Sequence, residues 1–363
     1  MDFLQLVIRI GEDLYYNYKT KISVKLTIMK KDSFFILESY ERIQFNISIT
    51  QINYCLLTFI IQILICKSFA LEGSKPPNGN QIQLDFKIPD NKNEWEKFKK
   101  DWKVKLGEKC FSDWPTNPQP KNVKEKFNSQ SKGVSLRAIE FEGPKGPLSL
   151  YISHYPGLEN PDLVVLTTLS KDGWTDFLAS MRHGFEKELG TDELPEADLK
   201  SFKQHQGMYR SFKWAMAYFA PTGIHPDTIS EDGKKGHASL DATRILELRY
   251  AIKVLRTAGA MQEVPLWLQG QGVMGGVSLY AGIYESKVTR YDLHNLIFTH
   301  RGKFLDNAFS FLDMPQIVTL ALENSQVIIY QQDEQGWDYP ASVSKKLSWN
   351  NKLQIRTLPP PKK

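Results

Sequence analysis

The sequence is poor in the residues that build small metal and redox centres. Only three of its 363 residues are cysteine, Cys55, Cys66 and Cys110, and none stands in a C-x-x-C pair. A zinc ribbon or a thioredoxin-type redox motif is therefore unsupported. The scarcity does not fix a compartment, because a chain this long needs no disulfide staples. No H-E-x-x-H or H-x-H occurs. His225 with Asp227, and Asp232 with His237, share one polar loop without a third fixed ligand, which reads as a solvated loop. Charge of one sign is also lacking. The net charge of +5 comes from 46 basic and 41 acidic residues, too small and too dispersed an excess to imply nucleic acid. No stretch of 18 consecutive apolar residues appears, so a polytopic membrane protein is excluded.

What is present is enough for a packed core. Hydrophobic residues make up 41% and aromatics 12%, which excludes a wholly disordered chain. The strongest apolar run is YCLLTFIIQILIC, residues 54–66, interrupted only by Thr58 and Gln62. It is short for a spanning helix and suits the h-region of a secretory leader. Ser68 and Ala70 follow as an S-x-A cleavage site. The long stretch before it counts against that reading, and a buried core helix or strand is the alternative. The expectation is a leader over 1–70 and a secreted or periplasmic protein. Anchoring through 52–69 follows only if the segment stays uncleaved.

Residues 71–133 are Lys-rich and punctuated by tryptophan. Trp95, Phe98, Trp102 and Leu106 fall at helical spacing, and WPTNPQPKNV (114–123) reads as an extended proline linker. Beyond 134, strands alternate with helices. VSLRAIEFE and GPLSLYISHYP read as neighbouring strands joined by a Gly-Pro turn. PDLVVLTTL, FKWAMAYFAPTG, VPLWLQG, VTRYDLHNLIF and SQVIIYQQ read as further strands, the last of these closing the sheet. TDFLASMRHGFEKELG, LDATRILELRYAIKVLRTAG, GGVSLYAGIYE and MPQIVTLALEN read as helices between them. This alternation predicts an open, mostly parallel sheet with helices on both faces over 134–350, and a basic, proline-rich tail over 351–363.

In such sheets the site lies at the carboxyl ends of the strands. The most informative turn is Gly270-Gln271-Gly272-Val273-Met274-Gly275, between a strand and a helix. Three readings compete. Gly270-x-Gly272-x-x-Gly275 matches the dinucleotide fingerprint literally, with Asp292 near the next strand, but several strands precede it and the fingerprint normally follows the first. The same turn stands where a G-x-S-x-G nucleophile elbow belongs, with Gly272 in the serine position. Or the glycines only permit a tight turn and close helix–sheet packing.

From about Trp114 to Trp349 the chain resembles a group of bacterial α/β-hydrolases, the secreted acetyl-xylan-esterase-like and dienelactone-hydrolase-like proteins. The resembling pieces are PDLVVLTTLSKDGWTDFLASMRHGFEKELG, MAYFAPTGI, VPLWLQGQGVMGGVSLYAGIYE and FLDNAFSFLDMPQIVTLALENSQVIIYQQD. The resemblance implies an α/β-hydrolase-like, doubly wound sheet. It places the oxyanion loop at Ser170, Lys171, Asp172, Gly173 and Trp174, and the catalytic acid at Asp333. An active member needs a serine at the elbow and a histidine after the last strand. Here glycine has no oxygen to attack a carbonyl. All seven histidines lie between 154 and 300, so His300, or less directly His294, is the candidate base. Ser278 lies too far along the helix to replace the nucleophile.

The expectation is a catalytically degenerate, ester-hydrolase-like domain, a pseudoenzyme that binds a carbohydrate or ester ligand or supports a partner hydrolase. It calls for no cofactor and no metal. The alternatives are an active ester hydrolase with a displaced catalytic set and, third, a dinucleotide-binding protein.

Overall fold

The structure is a computed structural model; it describes residues 86–190, 194–224, 239–302, 304–332 and 336–357, which fall in one compact unit. The leader and cleavage site expected before residue 71 lie outside these residues, as do His225, Asp227, Asp232, His237 and Asp333. No helix among the described residues is long and apolar enough to cross a membrane.

The helix α1 (Lys92–Lys109) opens the described chain. The Asn91 side chain accepts a hydrogen bond from the Glu94 N–H at its start. It buries Trp95, Trp102 and Leu106 along one side and leaves its lysines outside. Trp95 meets Trp102 and Trp349 edge to face, with ring centres 5.9 and 5.3 Å away.

Strands β1 (Lys121–Ser131), β2 (Val134–Gly143) and β3 (Gly146–His154) form an antiparallel meander. β1 occupies what the sequence presents as linker and helical segment. It is an edge strand exposed along most of its length, so no apolar alternation marks it, and Lys121, Lys124 and Lys126 guard it against further pairing. The remaining strands are β4 (Leu163–Thr168), β5 (Trp214–Phe219), β6 (Leu266–Gln271), β7 (Val288–His294), β8 (Gln326–Gln331) and β9 (Leu353–Thr357). The sheet runs β1-β2-β3-β5-β4-β6-β7-β8-β9. β3 joins β5 antiparallel, and every pairing from β5 through β9 is parallel.

The helices are α2 (Lys171–Leu189), α3 (Leu199–Ser211), α4 (Leu240–Thr257), α5 (Val273–Gly282), α6 (Met314–Leu322) and α7 (Asp338–Lys346). One face of the sheet packs against α1 and α4–α7, and the other against α2 and α3. Strand residues alternate between the two cores. Val164 and Leu166 of β4 join the first, and Leu163 and Val165 the second. The mostly parallel sheet with helices on both faces is therefore as expected.

Four further elements depart from the sequence reading. α3 was not expected: Phe202, Met208 and Tyr209 are its buried residues and Gly207 interrupts it, so no clean helical stripe shows. α7 and β9 follow the strand taken as last. β9 lies inside the expected basic tail, with Leu353 and Ile355 turned to the first core. The seventh strand stops at His294 rather than at 298, because Asn295 takes a positive φ of 46°.

Candidate active site

The strand order reverses beside β4. From β4 the chain crosses to β5 on one side, then returns to β6 on the other. The loops leaving β4 and β6 diverge there, at the carboxyl ends of the strands, where open sheets of this kind leave a crevice for a ligand. Ser170 follows β4 and Gly272 follows β6, so the two turns singled out in the sequence border the same crevice.

The turn after β6 is held by main-chain crowding. A Cβ on Gly270 would lie 2.5 Å from the Met274 carbonyl oxygen and 2.7 Å from the Gly275 nitrogen. Gly272, at the tip, has φ 53° and ψ −122°, a conformation that L side chains rarely adopt. Its N–H donates to the His294 carbonyl at 2.9 Å, and the Gly276 N–H donates to the Gly272 carbonyl at 3.3 Å. Among the described residues, a Cβ at Gly272 would meet nothing within 4 Å. The tip thus has the sharp strand-to-helix bend of a nucleophile elbow and points into open space, without the oxygen. Behind it Ser278 is fully buried, shares a 2.7 Å hydrogen bond with Thr168 of β4 and donates to the Gln269 carbonyl. Ser278 ties α5 to the sheet and is no nucleophile.

The stretch Ser170–Trp174 is not a loop. Ser170 caps α2, accepting the Gly173 N–H at 3.2 Å, and Lys171–Trp174 form the first turn. Two helix starts, α2 and α5, therefore face the crevice. First-turn N–H groups have no partner inside their own helix, and the helix dipole adds partial positive charge there. Such donors suit a carbonyl oxygen or another electron-rich group.

His300 does not reach this crevice. It is fully buried; Nδ1 lies 2.8 Å from Asp313 Oδ1 and Nε2 lies 2.7 Å from the Tyr280 hydroxyl. Burial pushes the Asp313 carboxyl up, but the hydrogen bonds from His300 and the Met314 N–H outweigh it and hold the group below its ordinary range. Both ring nitrogens are engaged in pinning α5 to the start of α6, so a base role for His300 is set aside. His294 is the histidine beside the elbow. Gln271 pairs with it in register, and its ring stacks on Tyr330 at 4.5 Å between centres. Burial pushes its imidazole down to about 4, so it is neutral at pH 7.

Asp292 gives the dinucleotide reading no support. It is buried in β7, and its Oδ1 accepts from Arg290 at 2.6 Å and from Tyr330 at 3.2 Å. A ribose has no access to it. No group of three metal-ligating side chains occurs among the described residues.

One site feature carried no signal in the sequence. Glu247 of α4 is fully buried and accepts both the Thr222 N–H, at 2.8 Å, and the Thr222 hydroxyl. Arg244 donates to the Thr222 carbonyl at 3.0 Å. These bonds clamp the turn that follows β5. Burial raises the Glu247 carboxyl to about 7, against the pull of the Thr222 bonds and Arg244.

No protein-family model matches the sequence, and no curated protein does. Solved structures do resemble the fold. A Bacteroides fragilis NCTC 9343 protein assigned as an acetyl xylan esterase superposes with a TM-score of 0.57 at 12% identity, covering 76% of each chain. A glucuronoyl esterase from Solibacter usitatus gives 0.52 at 10% identity, covering 73% of this chain and 88% of that one. With the sheet order and the bend at Gly272, these likenesses show that the chain has the α/β-hydrolase fold.

Proposed function

We propose that this is a hydrolase-fold binding domain without covalent acyl-transfer chemistry, whose crevice receives an ester or an acylated carbohydrate. One observation carries the reading: the elbow keeps its strained bend at Gly272 while the tip lacks a side chain. Acyl transfer needs an oxygen or sulfur at that tip and a base to take its proton. Binding needs neither, and the first turns of α2 and α5 supply N–H donors for a carbonyl oxygen. The esterases that share the fold suggest acetylated xylan as the first ligand class to try.

The test uses the full chain. Hydrolysis of p-nitrophenyl acetate and acetylated xylan is measured beside titration calorimetry with acetylated xylo-oligosaccharides. No hydrolysis above buffer, with saturable heat, is the expected result. Wild-type turnover would overturn the reading. The second reading, an ester hydrolase with a displaced catalytic set, is favoured by the neutral His294 beside the elbow. It requires turnover that His294→Ala abolishes.

A further inference from the structure

The end of the sheet opposite the elbow holds a cavity of about 300 Å³, at the amino ends of β7 and β8. α1 walls one side, and the carboxyl ends of α5 and α6 wall the others. The buried residues Tyr291 and Ser325 line its inner part, and the exposed Ser286 and Asn324 its rim. The volume is about ten times a water's share of the liquid, room for about a dozen non-hydrogen atoms. Five charged side chains line it, and all but one are committed. Lys99 lies 2.8 Å from Glu323, Glu285 lies 2.7 Å from Arg249, and Lys287 pairs with Glu263. Lys103, one turn beyond Lys99 on α1, forms no ion pair or hydrogen bond among the described residues and faces the Tyr284 ring at 5.8 Å. Burial pushes its ammonium down, and the Lys99 charge pushes the same way, beyond what the Glu323 and Glu96 carboxylates return. The wall therefore presents one cation that an anion would satisfy.

We propose that this cavity binds a small, polyhydroxylated monocarboxylate of the sugar-acid class, with its carboxylate on Lys103. One negative charge is the limit. The carboxylates of Glu285 and Glu323, and the negative dipole ends of α5 and α6, oppose a second. They disfavour a dianion such as inorganic phosphate. The rest of the wall asks for hydroxyls. Ser286 and Ser325 carry hydroxyls, Asn324 carries an amide, and the two glutamates keep lone pairs beyond their ion pairs. An alcohol answers each of these groups, because it both donates and accepts. Ile283 and Leu320 supply the apolar contact that the C–H edges of a sugar chain need. The site is separate from the crevice. An occupant here touches the last turn of α5, the helix whose first turn follows Gly272 at the other end of the sheet.

The test uses the full chain and D-gluconate, an open-chain monocarboxylate with hydroxyls along its length. Lysine acetylation by acetic anhydride is read by peptide mass spectrometry. At about 10 mM, gluconate should slow acetylation of Lys103 at least about threefold, by covering the amine and holding its proton. Lys100, exposed on the same helix and outside the cavity wall, should be unchanged. Sorbitol has the hydroxylated chain without the charge, and hexanoate the charge without the hydroxyls; neither should protect Lys103, nor should inorganic phosphate. Lys103→Met keeps the stem and removes the charge, and should weaken gluconate binding in titration calorimetry at least about tenfold. Asn324→Trp, a plug at the rim, should abolish the protection and leave the ligand-free rate of Lys103 as it was. Neither side chain belongs to an apolar core, and circular dichroism checks that both variants keep the fold. No protection by gluconate in the wild type overturns the proposal. So does equal protection by hexanoate or phosphate, which would make Lys103 a bare anion contact. So does protection that survives Asn324→Trp, which would put the ligand outside the cavity.

Discussion

Replacing Glu247 by glutamine tests how the turn after β5 is held. The Glu247 carboxyl rises from 4.5 to about 7 inside the fold, because burial penalises its charge more than Thr222 and Arg244 reward it. The folded state therefore holds this proton more tightly than the unfolded chain. That contribution to stability is full below pH 4.5 and is lost as the pH rises through about 7. At about 1.36 kcal/mol per pH unit, the loss comes to about 3 kcal/mol by pH 8. Glutamine has the same shape and never ionises. Its carbonyl can accept the Thr222 N–H, and its amide can donate to the Thr222 hydroxyl. The offsetting term is Arg244, which loses a negative neighbour and keeps the Thr222 carbonyl and a distant Asp241 carboxylate at 3.9 Å. The net expectation is that Glu247→Gln equals the wild type near pH 4.5 and exceeds it by about 2 kcal/mol at pH 8. Urea unfolding followed by circular dichroism at half-unit pH steps gives both curves. A variant less stable than the wild type at pH 8 would refute the reasoning, since it would mean that Glu247 is ionised and held by Arg244. A difference that stays constant between pH 4.5 and 8 would refute it equally.

Three further outcomes follow from the elbow and its surroundings. Gly270→Ala should destabilise by about 3 kcal/mol or more, because its Cβ meets main chain that cannot rotate away; Gly272→Ala, strained but facing open space, should cost only about 1–2 kcal/mol, both read by urea unfolding. Gly272→Ser should hydrolyse p-nitrophenyl acetate at no more than about tenfold the buffer rate, because a triad without its base loses nearly as much as one without all three members. His300→Ala should lower stability by about 3 kcal/mol, read as a drop in Tm, since it removes the ring between the Tyr280 hydroxyl and Asp313 and leaves Asp313 only its backbone N–H partners; an unchanged Tm would contradict the buried arrangement.

The parts of this fold legible from sequence are those written in short-range patterns. β4 is a continuous apolar run, as a strand buried on both faces must be. The elbow shows as glycines two and three apart, because main-chain crowding tolerates nothing larger at Gly270. Elements without such a pattern were missed. β1 is charged on both sides, α3 has no clean stripe, and β9 is five residues ending in Arg356 and Thr357. At the site, the bend was readable and the partners were not. Whether His300 faces the crevice or Asp313 depends on how α5 and the turn before α6 pack, and no local spacing encodes that. The clamp of Thr222 by Glu247 joins residues on different elements and leaves no motif.

The way the elbow is built separates its shape from its chemistry. Its bend is imposed from below, by Gly270 against Met274 and Gly275, while among the described residues a side chain at the tip would meet no neighbour. A nucleophile can therefore be gained or lost at position 272 while the scaffold that presents it stays intact. Some glycine codons differ from a serine codon by one base, so the change is also genetically short. In a lineage carrying this chain, the passage between catalyst and receptor need not cross an unfolded intermediate. Selection on ligand capture alone would keep the bend available for either use.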